Sequence, residues 1–123
     1  MQVQQFLVAV NSEQPERLAS FYEEIVGLTP AFEVAPGAFR AGSSSFISLI
    51  IEGHDEVEGV AKEPARVMLN FIVDDVESEE ERLKGQGVAF IRDATLEPGL
   101  GTFATFLDPD GNYCQLAALA EPG

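Results

Sequence analysis

Few side chains in this 123-residue chain are equipped for imidazole or thiol chemistry: it has one histidine, His54, and one cysteine, Cys114. His54 stands beside Asp55 and Glu56 in an acidic stretch that reads as a solvated loop. Cys114 lies in an apolar strand and reads as a buried, inert thiol. A single loop histidine gives no Ser–His or Cys–His constellation that would activate a nucleophile. Recognition chemistry remains. Phe39, Phe103 and Tyr113 are candidates for stacking on a planar ligand, although strand aromatics serve equally as core. Arg40 and Arg66 are scarce positive charges, suited to a ligand carboxylate or to pairing with the many neighbouring acids.

The charge balance narrows the partners. Twenty-one Asp and Glu face seven Lys and Arg, a net charge of -14. Nucleic acid is excluded as a natural partner, because phosphate neutralisation needs clustered Lys and Arg. Anionic membrane surfaces are disfavoured for the same reason. The acidity keeps the chain soluble and also attracts cationic ligands. A hydrophobic content of 46% argues for a packed core, and the length suits a single domain over residues 1–123. No apolar run approaches membrane-spanning length, and Met1 is followed by polar Gln2, Gln4 and Gln5, so neither a span nor a secretory signal is expected. The lone cysteine fits a reducing, cytoplasmic setting.

Positioning these residues requires regular elements, and the pattern supplies them twice. Val3–Val10 reads as a strand, and Asn11 or Ser12 as a cap with Pro15 in a first helical turn. Leu18, Phe21, Tyr22 and Ile25 recur at helical spacing, which predicts a helix over 14–26 ended by Gly27. Strands are expected at 29–34, 38–41 and 45–51, divided by Pro36-Gly37 and Gly42-Ser43. Repeat one thus covers 1–53, and the acidic stretch 54–64 is a linker. Repeat two, 65–123, opens with a strand at 66–73. Asp74 or Asp75 then caps a helix over 76–86, and Asp74 with Glu77 has capping-box spacing. Its apolar stripe is thin, chiefly Val76 and Leu83, with Glu77, Glu79, Glu80 and Glu81 at the positive end of the helix dipole. Strands follow at 88–91, 102–107 and 113–119. The last two flank Asp108-Pro109-Asp110-Gly111, a hairpin loop in which Pro109 presets φ and Gly111 supplies the φ > 0 position.

That terminal hairpin, Asp108-Pro109-Asp110-Gly111-Asn112-Tyr113-Cys114-Gln115-Leu116, resembles the D-P-[DE]-G-x-x-x-E-L signature of the vicinal oxygen chelate superfamily. This is the superfamily of glyoxalase I, extradiol dioxygenases and bleomycin-resistance proteins. Phe21-Tyr22 followed by Gly27-Leu28, and Val73-Asp74-Asp75-Val76, strengthen the likeness, which spans nearly the whole chain. It implies an α+β fold in which two β-α-β-β-β repeats form a curved mixed sheet around a cavity.

The resemblance also implies four metal-ligand positions, normally His or Glu, which fall here at Gln5, Ser48, Met68 and Gln115. An amide, a hydroxyl, a thioether and a second amide are poor donors for a divalent metal, so the expectation is no metal and no cofactor. A cavity lined by Gln5, Ser48, Met68, Asn70, Phe103, Tyr113 and Gln115 would instead hold a small molecule. The function implied is metal-independent binding of a drug-like or cationic ligand by a homodimer similar to bleomycin-resistance proteins. The alternative is a lyase, isomerase or dioxygenase with a degenerate metal site.

Overall fold

The structure is a computed structural model, and it describes residues 1–121. The chain divides into two compact units, Met1–Gly59 and Val60–Gly123, and the division falls inside the acidic stretch. Each unit carries one four-stranded mixed sheet and one helix.

In the first unit, β1 (Val8–Ser12) leads into α1 (Pro15–Ser20), which widens into a π-helical segment (Phe21–Val26). Pro15 occupies the first turn, where its missing N–H costs nothing. The Ser12 hydroxyl accepts from the Gln14 N–H at 3.0 Å just upstream. The wide turn ends at Gly27, whose φ of 92° is reached without strain by glycine alone. The Tyr22 carbonyl accepts from both Gly27 and Leu28, which closes the helix. β2 (Thr29–Pro30), β3 (Ala38–Arg40) and β4 (Leu49–Gly53) complete the sheet in the order β1-β4-β3-β2. β1 and β4 run parallel from Val8↔Leu49 to Ser12↔Gly53. Leu18 and Tyr22 on the helix, and Leu49 and Ile51 on the sheet, are buried in the unit's core.

The second unit repeats the plan: β5 (Leu69–Ile72), α2 (Val76–Gly85), β6 (Phe90–Glu97), β7 (Gly101–Leu107) and β8 (Tyr113–Leu119). Its strand order is β5-β8-β7-β6, with β5 and β8 parallel. The α2 cap is Asp75, whose carboxylate accepts from the Ser78 N–H at 3.0 Å, so the Asp74–Glu77 capping box is not the one used. Val76 and Leu83, one stripe seven residues apart, are the buried helix positions. α2 lies against β7 and β8, on which Ala104, Phe106, Cys114 and Leu116 are likewise buried.

Several strand limits differ from the sequence expectation. The first strand begins at Val8 rather than Val3, because its ladder partner β4 begins at Leu49. β5 begins at Leu69 rather than Arg66, alongside Cys114. β6 extends to Glu97, well past Ile91. The reason lies in register shifts between Phe90 and Arg92 and between Arg92 and Thr95, which break the alternation a strand normally displays. Glu80 of α2 compensates: its carboxylate accepts from the Ala94 N–H at 2.6 Å. Lys84, one turn further along, pairs with Asp93 at 2.7 Å and Glu80 at 3.4 Å. Asp93 above all, and Glu80 with it, hold the ammonium above its ordinary pKa.

Candidate functional site

The terminal hairpin positions the second unit's functional face. Asp108 is buried, and one of its carboxylate oxygens accepts from the Asp110 and Asn112 N–H groups at 2.9 and 3.0 Å. The other oxygen takes the Asn112 amide at 2.9 Å. With Gly111 at φ 79°, these bonds make the loop a rigid template, and the register from Leu107↔Tyr113 onward follows from it.

That register aligns polar residues across the sheet. Asn70 on β5 lies opposite Gln115 on β8, Gln115 opposite Thr105 on β7, and Thr105 opposite Arg92 on β6. One row therefore carries two amides, a hydroxyl and a guanidinium. The next row reads Ile72, Ala117, Phe103 and Thr95, and Leu107 with Tyr113 flanks the other side. Successive strand residues face opposite ways, so this face is distinct from the one bearing Phe106, Cys114 and Leu116. Among the expected site residues, Asn70, Phe103, Tyr113 and Gln115 thus share one face. Met68 stands just before β5, and its carbonyl accepts from the Asn70 amide at 3.3 Å. Tyr113 also lines a recess of about 500 Å³ with Glu63, Pro64, Ala65 and Arg66.

Gln5 and Ser48 belong to the first unit and precede its strands. The Gln5 amide donates to the Ile47 carbonyl at 3.3 Å. Ser48 is held by its backbone, donating to the Phe39 carbonyl at 2.9 Å and accepting from the Val8 N–H at 3.0 Å. Phe39, a stacking candidate, is 2% exposed and serves as core. Both candidate arginines are in ion pairs, Arg40 with Glu33 and Arg66 with Glu63. The Glu33 carboxyl lies below its ordinary pKa, chiefly through a backbone hydrogen bond and secondarily through Arg40.

Thr105 and Arg92 were missed by sequence reasoning. Thr105 was within reach: pairing the hairpin outward from Gly111 sets it opposite Gln115. Arg92 was not, since the bulges hide its register.

The Gln115 side-chain amide has no hydrogen-bond partner among the described residues and is only partly buried. A half-buried amide with open valences recognises neutral polar groups, donating through its NH₂ and accepting through its carbonyl. Phe103 and Tyr113 add ring faces for stacking. Neither the histidine nor the cysteine belongs to this face. The His54 Nδ1 accepts from the Glu56 N–H at 3.1 Å in a loop of the other unit, and Cys114 is buried on the opposite face of the sheet. No cluster of three His, Cys, Asp or Glu that would hold a metal occurs among the described residues. The donors at Gln5, Ser48, Met68 and Gln115 carry no negative charge to offset the dehydration of a divalent ion, and they do not fit one.

Solved structures share this architecture. TnmS3 from Streptomyces sp. CB03234, described as an antibiotic binding protein, is 23% identical, with 98% of this chain and 99% of that one covered at a TM-score of 0.71. A glyoxalase/bleomycin resistance protein from the same organism is 25% identical over 93% of this chain and 99% of its own, with a TM-score of 0.64. A lactoylglutathione lyase from Agrobacterium tumefaciens is 18% identical over 95% of this chain and 94% of its own, with a TM-score of 0.71. No curated protein matches the chain significantly. A sequence profile of the glyoxalase/bleomycin resistance protein/dioxygenase superfamily matches residues 4–116, and the chain belongs to that superfamily.

Proposed function

We propose that this protein is a metal-independent binder of a drug-like organic molecule, and that the Asn70–Gln115–Thr105–Arg92 row with Phe103 and Tyr113 is its recognition face. The observation that carries the reading is the Gln115 amide, which has no hydrogen-bond partner among the described residues; by the resemblance of the terminal hairpin, it corresponds to the metal-binding glutamate of the superfamily's enzymes. An amide at that point forgoes the metal and retains two hydrogen-bonding functions. The antibiotic-binding description of TnmS3 supports a small-molecule ligand, and the net charge of -14 favours a cationic one.

A thermal-shift screen of cationic and neutral antibiotics, run with chelator and then with added nickel, zinc or manganese, tests this. A ligand at a hundred times its Kd should stabilise the fold by about 2.7 kcal/mol. The gain should be the same in chelator. Gln115→Ala should weaken that ligand about fivefold, the size of one lost neutral hydrogen bond. Stabilisation that appears only with metal would defeat the reading. So would turnover of the ligand, which would favour a lyase, isomerase or dioxygenase.

We also propose a homodimer. β1 and β2 are the outer strands of one sheet, β5 and β6 of the other, and outer strands invite cover. Ile72 on the outer strand β5 is 62% exposed, apolar surface that a partner strand would cover. Sedimentation equilibrium should give twice the 13.3 kDa chain mass at micromolar concentration. A single-chain mass there would count against the dimer.

A further inference from the structure

The recognition face leaves unused a second cavity, of about 540 Å³, which lies wholly within the first unit between α1 and the segment that joins β2 to β3. One stripe of the helix lines it: Glu16, Ala19, Ser20 and Glu23, at the i, i+3, i+4, i+7 spacing of a single face. The adjoining stripe, Leu18 and Tyr22, is fully buried in the core. Small residues in the middle of the lining stripe leave room for a guest, and a carboxylate stands at each end. Phe32 and Phe39 line the cavity too, Phe32 exposed and Phe39 buried, and Glu52 adds a third carboxylate.

The cavity is preformed. Ala31 and Ala38 are joined by a hydrogen bond of 2.8 Å, and Val34 donates to the Ala31 carbonyl at 2.9 Å. Gly37 is fastened to β4 through the Ile51 N–H, 2.8 Å from its carbonyl. The volume lies inside the range of about 300–1,000 Å³ common to small-molecule pockets.

Charge selects the guest. Apart from His54, which is outside the lining, the first unit's basic side chains are Arg17 and Arg40. Neither lines the cavity; Arg17 bonds the Gln14 amide and Arg40 pairs with Glu33. Glu16, Glu23 and Glu52 have no ion-pair partner among the described residues. The exposed Phe32 ring beside uncompensated carboxylates suits an apolar organic cation, which gains both the ring face and the charges. We infer that this groove is a second binding site, specific for a hydrophobic ammonium compound and separate from the Gln115 face.

The test is amide chemical-shift mapping on the full chain with three probes: 1-naphthylmethyl-trimethylammonium, neutral 1-naphthylmethanol and anionic 1-naphthoate. The ammonium probe should shift Ala19, Ser20, Gly37 and Gly53 saturably, and bind at least about tenfold tighter than the alcohol. Glu16→Gln and Glu23→Gln should each weaken it about threefold, the size of an exposed charge contact, and added salt should weaken it further. Both positions are on the surface, so these variants fold. Ala19→Phe should block the site. Equal binding of all three probes would overturn the inference, as would shifts confined to Asn70 and Gln115, which would instead support the recognition face. Shifts at the same amides on dilution without probe would identify a second copy of the chain as the occupant, and would also overturn it.

Discussion

Phe106→Ala is expected to be the most destabilising single substitution in the second unit, at about 3–5 kcal/mol. Phe106 is fully buried, and its ring lies 6.3 Å from that of Phe71 and 5.6 Å from that of Phe90. It therefore joins β5, β6 and β7 through one aromatic cluster, beneath the face that carries Gln115. Truncation removes the transfer free energy of the ring and also leaves a cavity that strands pinned by ladder bonds cannot close. Aromatic geometry adds about 0.5–1.5 kcal/mol for each partner ring. Against a total stability of about 5–15 kcal/mol the loss is a large fraction. The melting temperature should fall on the order of 15 °C. Urea denaturation followed by circular dichroism measures it. A change under about 1 kcal/mol, typical of surface positions, would mean that the cluster is not the core of this unit.

The second large effect is expected in the first unit. Gly37 has φ +81°, and a Cβ built there would press on the Ile51 carbonyl oxygen, a backbone atom that cannot swing aside. Gly37→Ala therefore carries two costs. A left-handed backbone costs a non-glycine residue about 1–2 kcal/mol, and overpacking adds about 1–3. A total of about 3 kcal/mol follows, read from the urea midpoint. Gly42→Ala is the control. Gly42 also has positive φ, at +56°, but a Cβ there meets nothing, so only the first cost applies. Equal losses in the two variants would show that the close approach of Gly37 to β4 carries no energy.

Local chemistry was legible without the fold. The spacing of Leu18 and Tyr22 placed one buried helical stripe, and that of Val76 and Leu83 the other. Gly27 marked a helix end because only glycine reaches its φ cheaply. The Asp108–Gly111 loop specified the hairpin, since its proline, glycine and capping carboxylate act within a few residues of one another. From that hairpin came the family likeness and the placement of Phe103, Tyr113 and Gln115.

Tertiary structure decided what depends on a partner distant in sequence. A strand ends where its ladder partner ends. β1 therefore starts at Val8, and Gln5 and Ser48 stand ahead of the regular pairing although their side-chain pattern looks strand-like. Bulges cancel the period of two, so β6 ran on through Asp93 and Thr95 unseen, and with it the place of Arg92 beside Thr105. Glu80 reads in the sequence as one more exposed acid of α2, yet it satisfies a backbone N–H fourteen residues away. The cavity beside α1 is likewise invisible in the chain. Its walls come from a helix, a connecting segment and β4, and whether Glu16 and Glu23 face solvent or a cavity depends on what packs opposite them. Periodicity records which face of an element turns inward, because burial acts on each side chain in turn. It holds no record of which element meets that face, because that choice is made by long-range packing.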